Sequence, residues 1–156
     1  MNKLEKLMDK YNHLNFTFTN DMPNKLRGLC IGNDIYINNQ TNKTISEKIV
    51  TISEEIAHFE TTIGNIIDQQ SLMNRKQEHL ARKLGGERLF TLDDLIRCWQ
   101  NGIRAPWDIA EELDITVESV LATIENYRNS LGVRFRYKDY CIRFISDMNV
   151  RIKKKI

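Results

Sequence analysis

The segment Ser53-Glu54-Glu55-Ile56-Ala57-His58 carries the residues best suited to chemistry. On a helix, Glu54 and His58 lie one turn apart, so both side chains point in the same direction. Glu55 lies one step around the helix, within reach of a water molecule held between the other two. The pattern is that of an H-E-x-x-H motif with Glu54 in the first histidine position. It predicts a zinc site at which Glu55 deprotonates a water molecule, although a single histidine on a helix is more often a surface or packing residue.

A third ligand is expected from a helix that follows the motif. Within residues 75–82, Glu78 is the candidate and His79 is the competitor. Glu78 also has a simpler interpretation, as one member of a solvated run of charges. Asp68 is an alternative partner of His58, or a replacement ligand, but a turn residue is the safer interpretation. The residues alone leave these alternatives open.

Apolar periodicity predicts the elements that must position these side chains. Five apolar residues from Ile45 to Phe59 recur at three- and four-residue steps, which indicates a helix from Thr44 to about Thr62, with Ser46 as its N-cap and Gly64 near its end. Before it, Leu26–Asn38 is typical of a β-hairpin. The other expected elements of this part are a helix over Lys3–Tyr11 and a helix over Met73–Leu89 that is weakened at Gly85-Gly86.

The last third is expected to be helical and to end in a hairpin. Thr91 and Thr116 are predicted helix caps, and Pro106 is a predicted helix start. Alternating apolar and polar residues over 133–145 indicate the terminal hairpin. Residues 106–127 also have the pattern of a helix-turn-helix, but the second helix contains no Arg or Lys before Arg128, which argues against DNA recognition.

Composition limits the class of protein. The chain has 156 residues, of which 41% are apolar, and this supports one domain with a core. No apolar run is long enough to span a membrane, the N-terminal residues do not form a signal peptide, and the three cysteines are isolated, so a cytoplasmic protein is expected.

The charge is distributed unevenly along the chain. Residues 91–126 carry a net charge of −6 and residues 128–156 carry +7. Mutual packing or a solvated face explains such a pattern more often than nucleic-acid binding does. The basic tail 151–156 has no interleaved aromatic residues, so we expect it to be a frayed terminus.

The order of these features resembles the ImmA/IrrE family of small metallopeptidases, in the variety found in phages and integrated elements. The resemblance covers about residues 25–145. The features that carry it are the hairpin Leu26–Asn38, the sequence Glu54-Glu55-x-x-His58, the sequence Thr61-Thr62-x-Gly64, the segment from Arg75 to Arg82 and the segment from Trp107 to Thr116.

The resemblance implies an α+β fold in one domain. Residues 1–90 would form a minimal zincin-like core, with the motif helix beside a small antiparallel sheet, and residues 91–156 a helical lobe and terminal hairpin. An edge strand would hold an extended peptide by strand addition. The implied activity is cleavage of a helix-turn-helix repressor of a phage or mobile element. From the charge pattern and the lack of a long apolar run, direct binding to nucleic acid or to a membrane is not expected.

By position, the resemblance makes Glu55 the general base and makes Glu54, His58 and Glu78 the ligands of zinc or another divalent ion. Position 54 is glutamate in this chain, whereas most members of the family have histidine there. The glutamate adds a second negative charge at the metal. That charge should weaken the Lewis acidity of the metal and its selectivity for zinc. Slow hydrolysis is therefore expected. The alternative is that this protein is an inactive relative of these peptidases, which binds a regulator without cleaving it.

Overall fold

In the computed structural model, residues 1–62, 71–146 and 149–155 are described, with the backbone alone for residues 62 and 71–74. The fold is α+β, as predicted. The chain divides into two compact units, Met1–Arg88 and Leu89–Ile156. The single domain expected from the sequence stays a prediction. The described elements are α1 (Lys3–Lys10), β1 (Asn15–Thr19), β2 (Gly28–Ile31), β3 (Asp34–Asn38), α2 (Ile45–Thr62), α3 (Ser71–Leu89), α4 (Leu92–Gln100), α5 (Pro106–Leu113), α6 (Val117–Leu131), β4 (Arg134–Tyr137), β5 (Tyr140–Ser146) and β6 (Asn149–Lys154).

The sheet of the first unit has the strand order β1-β3-β2. Strands β2 and β3 form the predicted antiparallel hairpin. Strand β1, which the sequence does not predict, pairs with β3 in parallel, so the sheet is mixed. A parallel partner lies beyond a crossover, and no local turn signal in the sequence indicates it. Ile35 and Ile37 of the central strand β3 are fully buried.

Helix α2 packs its apolar stripe into the core of the first unit. Ile49, Ile52 and Ile56 are fully buried, at the helical spacing that the sequence predicts. The predicted cap Ser46 is wrong, because Thr44 performs this role. The Glu47 amide donates to Thr44 Oγ1 at 3.1 Å and the Thr44 amide donates to Glu47 Oε1 at 3.0 Å, a reciprocal capping box.

Helix α3 continues through Gly85, where the sequence predicts a weak point. A β-carbon added at Gly85 would lie 3.0 Å from both Cα and N of Glu54. The glycine therefore allows the backbone of α3 to approach α2 closely, and this packing compensates for its poor helix propensity. The predicted helix end at Gly64 lies outside the described residues.

The second unit contains α4, α5 and α6, followed by a sheet of order β4-β5-β6. Thr91 and Thr116 cap their helices and Pro106 begins α5, as predicted. The hairpin β4–β5 is also confirmed.

The expectation of a frayed basic tail is wrong, because residues 149–154 form β6 and pair with β5. Ile152 is only 4% exposed and lies opposite Ile142, so burial of alternate residues holds the tail in the sheet. Cys30, Cys98 and Cys141 are free, as the sequence predicts. Within the described ranges, no helix has the length and apolar character needed to cross a membrane.

Candidate metal centre

Glu54, His58 and Glu78 lie together between two helices of the first unit. Each contributes one ligand atom, and the three atoms lie within 4.8 Å of one another. His58 Nε2 lies 3.1 Å from Glu78 Oε1. Helix α2 supplies Glu54 and His58 one turn apart, and α3 supplies Glu78. The structure thus brings together the three side chains that the sequence selects as ligands.

The donor set fits a divalent cation. Ligands at about 2.0–2.1 Å from a tetrahedral zinc ion are separated from each other by ~3.3 Å. The His58–Glu78 distance already approaches this value, and the 4.8 Å limit of the cluster exceeds it by about 1.5 Å, within the range of carboxylate rotation. Two carboxylates and one imidazole suit zinc and also harder ions such as manganese, so the donors leave the identity of the metal open.

Glu55 is buried next to this cluster, with 9% of the residue exposed. Burial, and then repulsion from Glu54 and from Glu78, raises the pKa of the Glu55 carboxyl to about 8. The metal-free protein therefore holds a neutral carboxyl group here at neutral pH. A carboxyl group that titrates near the working pH is suited both to accept a proton and to return it.

Arg82 is a component of the site to which the sequence assigns no role beyond the end of the segment from Arg75 to Arg82. Its Nε donates to Glu54 Oε1 at 3.2 Å. Burial raises the pKa of Glu54, and the charge and hydrogen bond of Arg82 oppose that shift. Arg82 lies four residues after Glu78, on the same side of α3, and this spacing is the signal in the sequence that could have identified it.

Contacts on either side of Gly85 fix α2 against α3. Ser53 Oγ donates to the Gly85 carbonyl at 2.8 Å. Arg88 Nη1 donates to the Ser53 carbonyl at 2.7 Å, and the same guanidinium pairs with Glu60. Because Ser53 immediately precedes Glu54, these bonds set the position from which both glutamates of the motif project.

A cavity of about 490 Å³ opens beside the cluster. Gly28, the first residue of β2, lies on its wall. A β-carbon at Gly28 would lie 2.8 Å from Thr51 Cγ2 and 2.9 Å from Glu55 Cγ, so glycine permits the strand to run directly against the motif helix. The cavity is lined by Lys25, Leu26, Arg27, Gly28, Thr51, Glu54, Glu55, Glu78 and Arg82.

A buried polar network holds the segment that forms this wall. Asn42 Nδ2 donates to the Arg27 carbonyl at 2.8 Å and to the Asn38 carbonyl at 2.9 Å. Thr51 Oγ1 donates to Asn42 Oδ1 at 2.6 Å, which connects the network to α2. Asn38 Nδ2 in turn donates to the Leu26 carbonyl at 2.8 Å. The sequence does not indicate this role of residues 38–42.

Of the two other candidates from the sequence, only His79 lies in the described part of the chain. His79 is exposed and is not part of the group formed by Glu54, His58 and Glu78. Asp68 lies outside the described residues. Comparison with known proteins finds no family model that matches the chain and no significant match among curated proteins.

Proposed function

We propose that the protein is a metal-dependent endopeptidase that holds its metal with Glu54, His58 and Glu78. The observation that carries the proposal is the convergence of these three ligand atoms within 4.8 Å, with the buried carboxyl of Glu55 on the wall of the adjoining cavity. The resemblance to the ImmA/IrrE family supports the same assignment from the order of the sequence features.

Each residue has a separate task in the proposed reaction. A bound divalent cation would supply the Lewis acidity that polarises the attacking water and the scissile carbonyl. Glu55 accepts the proton of the attacking water and then delivers it to the leaving amine. Arg82 donates a hydrogen bond to one oxygen of Glu54 and so restricts the rotation of the Glu54 carboxylate.

The free edge of β2 supports an extended peptide as the substrate. Strand β2 is at the edge of its sheet, and among the described strands only β3 pairs with it. Leu29 and Ile31 are 38% and 57% exposed, so the strand offers apolar contacts beside unpaired backbone groups. A peptide added along this edge would reach the cavity at Gly28. A repressor-like protein of a phage or mobile element is the proposed source of the peptide.

Binding of a regulator without cleavage is the second candidate function. Two observations favour it: Glu54 adds a negative charge where a histidine would be neutral, and one of its oxygens already accepts a bond from Arg82. The added charge reduces the Lewis acidity of a bound metal, and the bond from Arg82 competes with the metal for an oxygen of Glu54. The free edge of β2 would serve this function equally well.

Metal content and peptide cleavage together test the proposal. Wild-type protein should bind one zinc or manganese ion per chain, measured by elemental analysis and calorimetry after chelation and reloading. His58→Ala should lose most of this affinity, whereas Glu55→Gln should keep the metal and lose about 10²–10⁴-fold in cleavage rate, because it removes the base alone. Cleavage is followed on a peptide library with sequencing of the new N-termini.

His79→Ala is the matched control, because His79 is an exposed histidine next to Glu78 in the same helix. It should bind metal and cleave like the wild type. Full metal retention by His58→Ala would remove the assigned site. Metal binding without cleavage at any loading, together with faster cleavage by Glu54→His, would favour the binding function for the natural chain.

A further inference from the structure

One face of the second sheet carries arginine side chains in direct register across all three strands. Arg134 of β4 lies opposite Arg143 of β5, and Arg143 lies opposite Arg151 of β6. All three residues are exposed. Side chains directly opposite in a sheet point to the same face, so the three guanidinium groups lie side by side. Ile142, which precedes Arg143, points to the other face and is buried.

These arginines line a groove of about 890 Å³ within the second unit. Seven of the eleven described residues that line it are Lys or Arg, and none of these eleven carries a carboxylate. Trp99 forms part of the wall, with the Arg104 guanidinium 5.1 Å from its ring centroid. The groove is lined by Trp99, Arg104, Arg134, Cys141, Arg143, Val150, Arg151, Ile152, Lys153, Lys154 and Lys155.

Protection of a sheet edge explains only part of this charge. Lysines on an edge strand such as β6 discourage pairing with other chains. Arg143, however, lies in the central strand, where two like charges directly opposite it cost stability. None of Arg134, Arg143 and Arg151 forms an ion pair with a described residue. Within the part of the chain that the structure describes, this row of cations is therefore not neutralised, and an anionic ligand would neutralise it.

We propose that this groove binds single-stranded nucleic acid through its phosphates, with Trp99 as a stacking surface for a base. A basic groove with an aromatic wall is the usual combination for single strands. The major groove of a duplex accepts a helix or a two-stranded ribbon, and a three-stranded sheet is wider than either. The sequence shows the basic segment 128–156 but not the groove, because the three arginines come from separate strands that only the strand pairing brings together.

Fluorescence anisotropy with labelled oligothymidine and oligouridine, over a series of salt concentrations, tests the proposal. The triple variant Arg134→Gln, Arg143→Gln, Arg151→Gln should bind at least ~10-fold more weakly at low salt. Its slope of log K against log salt should be smaller by about 2, since each lost phosphate contact removes ~0.7 for a single strand. The triple change to Lys keeps the charge and should retain most of the slope. Circular dichroism and thermal melting verify that both variants fold.

A charge-matched control removes three exposed cations from the first unit, with Lys6→Gln, Lys43→Gln and Lys76→Gln. It should bind like the wild type. In a Trp107→Phe background, which leaves Trp99 as the remaining tryptophan, binding should quench the fluorescence.

Three results would overturn the proposal. They are no binding at low salt, a loss of affinity in the triple Arg→Lys variant equal to that in the triple Arg→Gln variant, or tighter binding of duplex than of single strand. Oligoglutamate that binds as tightly and depends on the same arginines would instead assign the groove to an acidic protein. This test of the groove does not depend on the metal site. His58→Ala should leave oligonucleotide binding unchanged.

Discussion

Glu55 shows how a single buried residue connects the stability of this protein to its proposed chemistry. Its carboxyl has a pKa of about 8 in the folded chain, against 4.5 for an ordinary glutamate, because burial and two neighbouring carboxylates oppose its ionisation. In the proposed mechanism, a bound cation would offset the repulsion and allow Glu55 to act as the base. The position proposed for the base therefore costs stability in the metal-free protein.

The pH dependence of unfolding measures this cost. The folded pKa lies above the unfolded value, so the contribution of Glu55 is fully present below about pH 4.5 and is lost as the pH rises towards 8. Glu55→Gln removes the titrating group. We therefore expect this variant to stabilise the metal-free protein by roughly 4 kcal/mol above pH 8 and to change little near pH 4.5. Urea unfolding in the presence of a chelator measures both values.

Glu87→Gln is the control, because it removes a half-exposed carboxylate from α3. It should keep the wild-type dependence on pH. Parallel pH profiles for the wild type and Glu55→Gln would show that Glu55 is ionised in the folded chain, contrary to the prediction.

Among the elements, the close approach of α3 to α2 determines the geometry of the metal cluster. Gly85 has no room for a side chain, because the backbone atoms of Glu54 lie 3.0 Å from the position that a β-carbon would take. Gly85→Val must push the two helices apart, at a cost of about 1–3 kcal/mol from overpacking. Because Glu54 is displaced directly, zinc affinity should fall as well. Thermal melting and zinc calorimetry measure the two effects.

Lys83→Val introduces the same side chain, valine, two residues earlier, at a half-exposed position of α3. This control should lose no more than about 0.5 kcal/mol and should keep its zinc affinity. If Gly85→Val melts like Lys83→Val, the helices are not in the tight contact on which the site depends.

The hydrogen-bonded loop after β3 is the second element that shapes the site. Asn42→Ala removes donors to the Arg27 and Asn38 carbonyls and leaves Thr51 without its acceptor. Unsatisfied buried polar groups cost about 1–3 kcal/mol each, so a loss of roughly 3 kcal/mol is expected in urea unfolding. Asn24→Ala, at an exposed position of the same region, should lie within about 0.5 kcal/mol of the wild type. An equally small effect of Asn42→Ala would show that the network does not hold the wall.

The elements that the sequence predicts correctly are those whose signals are local. The apolar stripe of α2, the caps Thr91 and Thr116, and the hairpin β2–β3 each depend on residues within a few positions of one another. The helical spacing of Glu54 and His58 is local in the same sense, and it places both on one face.

The features that the sequence misses depend on packing between distant segments. Strand β1 is five residues long and pairs in parallel with β3, and β6 is held by the burial of Ile152 against β5. The bond from Arg82 to Glu54 and the tight fit of Gly85 exist only because α3 lies against α2. A candidate ligand set follows from the spacing of residues, whereas its electrostatic surroundings follow only from the fold.

For the whole molecule, the structure assigns the two proposed sites to different units. The metal cluster lies within Met1–Arg88, and the arginine groove lies within Leu89–Ile156. The acidic segment 91–126 and the basic segment 128–156 belong to the same unit, and Asp93 pairs with Lys138 at 2.7 Å. This pair does not involve Arg134, Arg143 or Arg151, which form no ion pair with a described residue.

Hydrogen exchange should therefore show two separate footprints. Zinc at about 100 times its Kd adds ~2.7 kcal/mol to the stability of the state that binds it. Amides of α2 and α3 that exchange only when the first unit opens should consequently exchange about 100-fold more slowly, while the exchange rates of amides in β4, β5 and β6 should not change.

Oligothymidine should slow the exchange of amides in β4, β5 and β6 and leave that of α2 unchanged. His58→Ala should abolish only the zinc footprint, and the triple Arg→Gln variant only the oligonucleotide footprint. Protection of β5 by zinc would contradict this assignment, because it would mean that the metal stabilises both units together.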